Sequence, residues 1–186
     1  MGQLTAPEQP PLFIISGQRE VGKTSFLSRL YRQALAEKID VAGVISPAVF
    51  EGGQKIGIDL LDPRTGDRKR LAILRHQEET GIFTERWAFD SDIMQWGNDL
   101  LARSVPCDLL IVDELGPIEL EQGKGWQNGV WALNQNTCKA AFVVIRPELI
   151  EIALKLWPHG QILVISEISE TQQADLTLQI IGLCRK

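Results

Sequence analysis

Leu12-Phe13-Ile14-Ile15-Ser16-Gly17-Gln18-Arg19-Glu20-Val21-Gly22-Lys23-Thr24-Ser25 runs from four consecutive apolar residues into a loop bracketed by glycines, and leaves it through a lysine and two hydroxyls. The apolar run, closed by Ser16-Gly17, has the pattern of a parallel strand covered on both faces. Beyond the loop, Leu27, Leu30, Tyr31 and Ala34 recur at the spacing of one helix face. Gly17 to Thr24 satisfies Gly-x-x-x-x-Gly-Lys-Ser/Thr, and a strand and a helix joined by such a loop form a phosphate-binding P-loop. At average glycine usage, a chance match in a chain this long is on the order of one per cent.

The spacing follows from what a phosphate requires. Backbone N–H groups must wrap the β-phosphate, glycines permit the close approach, and the helix that follows points its N-terminus at the same anion. Lys23 is expected to bridge the β- and γ-phosphates, and the Thr24 hydroxyl to coordinate Mg2+. Gln18, Arg19, Glu20, Val21 and Gly22 complete the cradle, and Ser25 is a weaker candidate for one more phosphate contact.

Downstream, Leu109-Leu110-Ile111-Val112 ends in Asp113-Glu114, the form of a buried strand that delivers a metal-positioning carboxylate. Asp113 is the expected Mg2+ partner. Glu114, directly after it, is the candidate catalytic base toward a water attacking the γ-phosphate. The plainer reading of Glu114 is a solvent-facing acid at a strand terminus. Glu119 is a weaker candidate, because Gly116-Pro117 turns the chain. Arg146, at the end of another apolar run, and Arg19 are candidate cations for the transferring phosphoryl group, with helix capping and surface solvation the plainer reading of each.

The same alternation continues along the chain. Val41–Ile45, Ala140–Ile145 and Ile162–Ile165 read as strands. Asp90 reads as the cap of a helix with the stripe Ile93, Trp96, Gly97, Leu100 and Leu101. Further helices are expected around Trp126–Asn134, after Pro147 with Leu149, Ile152, Ala153 and Leu156 inward, and around Ala174, Leu178 and Ile181. Residues 48–74 break the pattern: turns at Glu51-Gly52-Gly53-Gln54 and Asp62-Pro63-Arg64-Thr65-Gly66 separate alternating segments, which predicts an antiparallel hairpin insertion. The fold class expected is α/β, a three-layer sandwich on a mainly parallel sheet, with residues 1–186 forming one domain and 1–11 a loose lead-in.

Composition narrows the function. The chain has 186 residues, a net charge of −5, 44% hydrophobic and 23% charged residues. An acidic chain has no overall attraction for a phosphate backbone, so no nucleic-acid partner is expected. Arg64, Arg68, Lys69 and Arg70, interleaved with Asp62 and Asp67, read as a solvated hairpin. Three cysteines without pairing and two isolated histidines, His76 and His159, make neither a disulfide framework nor a zinc site. Met1-Gly2 opens like a myristoylation signal but has Ala6 where Ser or Thr belongs. With no apolar run long enough for a bilayer, a cytoplasmic address and no membrane partner are expected.

These residues resemble the thermophile-type nucleoside-triphosphatase family, also described as cancer-related nucleoside-triphosphatases. The resemblance rests on Val21-Gly22-Lys23-Thr24, on Gly43 through Gly52-Gly53 to Gly57-Ile58-Asp59, and on Val112-Asp113-Glu114-Leu115-Gly116-Pro117-Ile118-Glu119-Leu120. It implies a RecA-like P-loop fold and slow hydrolysis of ATP, GTP or a broad set of nucleoside triphosphates, with Asp113, Glu114, Leu115 and Gly116 as a second nucleotide-binding stretch. Arg19-Glu20 stands where the family often has Pro-Gly, and Ala48-Val49-Phe50 where many members have Glu-Val-Arg. The alternatives are a P-loop kinase, for which the arginine-bearing hairpin is the candidate lid, and a nucleotide-gated module that binds a protein partner through residues 48–74.

Overall fold

A computed structural model of the chain describes residues 9–75, 82–84 and 86–185. Gln3 to Glu8 of the expected lead-in, the Met1-Gly2 start and His76 lie outside the described residues.

The order of elements is β1 (Leu12–Ser16), α1 (Lys23–Ala36), β2 (Val41–Val44), β3 (Ala48–Glu51), β4 (Gln54–Leu61), β5 (Arg68–Leu74), β6 (Ile82–Phe83), β7 (Trp87–Phe89), α2 (Ser91–Ala102), β8 (Leu109–Leu115), α3 (Pro117–Leu120), α4 (Gln127–Leu133), β9 (Ala140–Ile145), α5 (Ile150–Leu156), β10 (Gln161–Val164) and α6 (Glu170–Cys184). Short 3-10 turns at Pro147–Leu149 and Ile165–Glu167 lead into α5 and follow β10.

Five strands form a parallel sheet in the order β10-β1-β9-β8-β2. Because successive side chains of a strand point to opposite faces, each apolar strand feeds two cores. Leu12 and Ile14 of β1 and Leu110 and Val112 of β8 meet Leu100, Leu101, Leu133 and Ala153 from α2, α4 and α5. Phe13, Ile15, Leu109 and Ile111 meet Phe26, Leu27, Leu30 and Ala34 from α1 and Ile180 and Ile181 from α6. The expected three-layer α/β sandwich is therefore present.

Gly43 shows how closely β2 lies on β8. Its φ is +104°, and a Cβ there would stand 1.9 Å from the Ile111 carbonyl oxygen, so neither the backbone conformation nor the space admits a side chain. Gly43→Ala is expected to cost about 3 kcal/mol or more in unfolding free energy. Urea denaturation followed by tryptophan fluorescence measures the loss; an unchanged midpoint would remove the glycine argument.

The second sheet is antiparallel, in the order β3-β4-β5-β7-β6, and runs on past Leu74 through the short β6–β7 pair. Among the described residues it joins the first through the antiparallel bridge Ile45 to Leu61, while Leu60 and Leu71 enter the core beneath α2. The expected strand over Val41–Ile45 thus gives its last residue to the insertion.

One expectation about burial changes. The closing helix buries Thr177, Ile180, Ile181 and Cys184, while Ala174 and Leu178 are exposed. Polar Thr177 is tolerated inside because its hydroxyl donates to the Gln173 carbonyl at 2.8 Å. The basic hairpin is solvent-exposed at Arg64, Arg68, Lys69 and Arg70, as expected, and its arginines are paired within that exposed surface. Arg64 pairs with Asp40 at 2.8 Å and donates to the carbonyls of Arg103 and Pro106, each at 2.7 Å, whereas Arg68 and Arg70 both bind Asp59. Asp40 immediately precedes β2, so this anchorage lies at the amino ends of the parallel strands, the opposite edge from the P-loop. That position cannot serve as a lid over the phosphates, and the kinase alternative loses the segment it relied on. Arg64→Ala is expected to cost about 1 kcal/mol of stability with phosphate release unchanged; a fall in release would link the hairpin to the site after all.

Candidate nucleotide site

The carboxyl ends of parallel strands gather on one edge of a sheet, where open α/β folds bind ligands. Here that edge brings together the loop after β1, the end of β8 and Arg146 after β9. With β9 lying between β1 and β8, Arg146 stands between the P-loop and the acidic pair.

The loop Gly17 to Gly22 joins β1 to α1. Gly22 is the N-cap of α1 at φ +94°, a left-handed conformation that costs a glycine little. Gln18, Arg19 and Glu20 are exposed, Val21 and Gly22 half-buried. Lys23 folds back over the loop, its Nζ donating to the carbonyls of Gly17 at 2.7 Å and Gln18 at 2.8 Å. Burial lowers its pKa, opposed by the nearby carboxylates of Glu114 and Asp113 and reinforced by the positive charge of Arg146. Ser25, in the first turn of α1, is exposed.

Thr24 and Asp113, 89 residues apart, meet directly: Thr24 Oγ1 donates to Asp113 Oδ1 at 3.2 Å. The second carboxylate oxygen accepts the Ser46 N–H at 2.9 Å. Asp113 is 3% exposed, and its pKa rises to about 6. Burial is the first cause; the Ser46 and Thr24 hydrogen bonds oppose it, the Glu114 charge adds to it, and Lys23 opposes it. A carboxylate and a hydroxyl are hard oxygen donors, the chemistry that Mg2+ selects when nucleotide phosphates and water supply its remaining ligands. No cluster of three His, Cys, Asp or Glu that could hold a metal occurs among the described residues.

Glu114 is displaced from the regular strand. Between the pairs Val112–Val143 and Leu115–Ile145, β8 holds one more residue than β9, and Glu114 takes φ +81° within this bulge. A non-glycine residue there is disfavoured by about 1 kcal/mol or more. The bulge turns its carboxylate onto the site edge, where Oε1 accepts from Arg146 Nε at 2.5 Å.

The rest of the second stretch plays a different part. Leu115 is buried in the core, and the Gly116 N–H donates to Glu119 Oε2 at 2.9 Å. Glu119 Oε1 accepts the Trp126 N–H at 3.1 Å, so both carboxylate oxygens of this weaker candidate organise the turn after β8.

The model of the family described as NTPase matches residues 12–179. The chain belongs to that family. Within the NTPase family, the nucleoside-triphosphatase THEP1 of Methanopyrus kandleri is 30% identical over 113 residues, 60% of this chain and 61% of that protein. Its counterpart in Pyrobaculum aerophilum is 29% identical over 142 residues, 76% of this chain and 78% of that protein. The chain thus spans about three fifths of the length of the first of these relatives. The solution structure of a human cancer-related nucleoside triphosphatase superposes with a TM-score of 0.66 at 17% identity, covering 92% of this chain and 96% of that one, which shows the fold. P-loop NTPases typically work with a divalent cation. No helix among the described residues is long and apolar enough to cross a membrane.

Several residues at the site of this NTPase-family chain carried no sequence signal. Ser46 reaches Asp113 because the β2–β8 register pairs Val44 with Val112. The insertion contributes Lys55, half-buried on β4, whose ammonium lies 5.0 Å from the centroid of the Trp87 ring. Its pKa is lowered by burial, with Glu20, Glu114 and Asp113 among the charges it feels. Arg86 lies 5.2 Å from the centroid of the same ring and pairs with Glu20 of the P-loop at 3.5 Å. Phe50, opposite Lys55 in the β3–β4 register, is exposed, so the insertion's cations on this side come from β4 and the approach to β7.

Proposed function

We propose that this chain hydrolyses nucleoside triphosphates to the diphosphate and inorganic phosphate in a Mg2+-dependent reaction in the cytoplasm. The observation that carries the reading is the meeting of Thr24 with Asp113 at 3.2 Å, with Glu114 the next residue and Lys23 the one before. Gly17 to Gly22 cradle the phosphates through backbone N–H groups. Lys23 exchanges its two carbonyl acceptors for phosphate oxygens. Thr24 and Asp113 would hold Mg2+, which would supply positive charge to the phosphate groups. Glu114 orients a water molecule whose oxygen bonds to the γ-phosphorus as the bond to the β–γ bridging oxygen breaks. The water's proton passes to Glu114, and the bridging oxygen leaves with the electron pair on the diphosphate.

Phosphate release from ATP, GTP, CTP and UTP, with and without Mg2+, tests the reading. Release that appears with Mg2+ and stops on chelation is expected. Nucleotide binding without release would reject hydrolysis. One observation favours a further use of the same site: the Arg86–Glu20 pair links the insertion sheet to the P-loop, the connection a nucleotide-gated partner surface requires.

A further inference from the structure

Glu114 is the candidate base, yet its carboxylate is already engaged. Arg146 Nε donates to it at 2.5 Å, and both side chains are partly exposed, 32% for Arg146 and 39% for Glu114. A base holding a strong ion pair is poorly placed to orient water or accept its proton. The pair is also enforced by the fold: β8 and β9 are neighbours, the bulge at Glu114 turns its side chain toward Arg146, and the positive φ is retained at a cost in backbone energy.

Arg146 faces a second charged group. Arg146 follows β9, which lies beside β1, so it shares the site edge with Lys23, the cation expected on the γ-phosphate. Two cations therefore border one space at the end of the P-loop, and Glu114 is the carboxylate that Arg146 binds there. A γ-phosphate entering beside Lys23 supplies several anionic oxygens where Glu114 supplies one charge, and a guanidinium fork matches phosphate oxygens in two-point geometry.

We propose that Arg146 is a γ-phosphate ligand held in reserve by Glu114, and that an arriving triphosphate draws the guanidinium from the carboxylate to a γ-oxygen, which frees Glu114 for water. This rests on the hydrolytic reading above. A diphosphate has no γ-oxygens, so it leaves the pair closed and the base occupied. Arg146 then has two roles: it stabilises charge on the transferring phosphoryl group, and it keeps the base engaged until that group is present.

The test is the Mg2+-supported affinity of a non-hydrolysable triphosphate analogue and of the matching diphosphate, by calorimetry, for the native protein, Arg146→Ala, Arg146→Lys and Glu114→Gln. Arg146→Ala is expected to weaken the analogue about tenfold and the diphosphate less than about twofold, with a smaller loss for Arg146→Lys. Glu114→Gln, which loosens the hold on Arg146, is expected to strengthen the analogue severalfold and leave the diphosphate unchanged. Equal losses on both nucleotides in Arg146→Ala, or no loss on either, overturn the proposal, as does an unchanged analogue affinity in Glu114→Gln. Binding is read without turnover, so the two readings fail separately. A native protein that releases no phosphate but shows these γ-dependent shifts rejects hydrolysis alone. One that hydrolyses while Arg146→Ala keeps its triphosphate preference rejects the Arg146 assignment alone.

Discussion

Glu114→Gln is expected to slow Mg2+-dependent phosphate release by about a thousandfold, the middle of the range for removal of a general base, without weakening triphosphate binding. Gln is near in shape to Glu and keeps an oxygen that can accept from Arg146 Nε, so the bulge and its neighbours need not move. What it loses is basicity and charge. Lys23 keeps its bonds to the Gly17 and Gln18 carbonyls, Thr24 and Asp113 keep theirs to each other, and the P-loop backbone is untouched. The rate is read from initial phosphate release at saturating nucleotide, and binding from displacement of a fluorescent analogue. Release within tenfold of native would place the base elsewhere. Glu119 is not a ready substitute, because both its oxygens are committed to the N–H groups of Gly116 and Trp126.

The site was legible in the sequence where its geometry is local. The loop from Gly17 to Thr24 carries its meaning in consecutive residues, and Asp90 sits one residue ahead of α2, where its carboxylate accepts from the N–H groups of Asp92 and Ile93. Asp113 and Glu114 were legible as a strand end. Contacts that depend on register across the sheet were not. Ser46 meets Asp113, and Arg146 meets Glu114, only because β8 lies between β2 and β9 and bulges at one residue. The anchorage of Arg64 was not legible either, because sequence spacing cannot show that Asp40 and the Arg103 and Pro106 carbonyls lie within reach of its fork. The stripe of α6 was misread for a related reason: Thr177 satisfies its hydroxyl inside the helix and becomes a core residue, while apolar Leu178 is left outside. Hydrophobic periodicity measures side-chain composition, whereas burial also depends on which polar groups find a partner.

Asp113→Asn is expected to abolish Mg2+-dependent release and at the same time to stabilise the metal-free protein at neutral pH. The native carboxyl is buried, and its pKa in the folded chain is raised from 3.8 to about 6. Between these values the folded state holds a proton that the unfolded state has lost. Stability from this group is therefore fully present below about pH 4 and falls as pH rises through 6. The difference of roughly two units corresponds to about 3 kcal/mol at pH 7 to 8, as an order of magnitude. Asn carries no charge to desolvate. Its oxygen can accept the Ser46 N–H and its amide can donate to Thr24 Oγ1, so both existing partners are kept. Unfolding by urea without Mg2+ or nucleotide is expected to place the Asn variant about 2 to 3 kcal/mol above native at pH 8, the gap closing toward pH 4. Added Mg2+ and nucleotide reverse the order, because ligand that binds only the folded state stabilises it by mass action and the variant has lost a metal ligand. A variant less stable than native at pH 8 without metal, or a gap that does not change with pH, would show that the Asp113 carboxylate is not strained by its burial. The predicted reversal ties the two halves of the proposed site together: a carboxylate buried at a cost would be relieved by a cation that shares its charge, so loss of stability without metal and the proposed affinity for Mg2+ would have the same physical source.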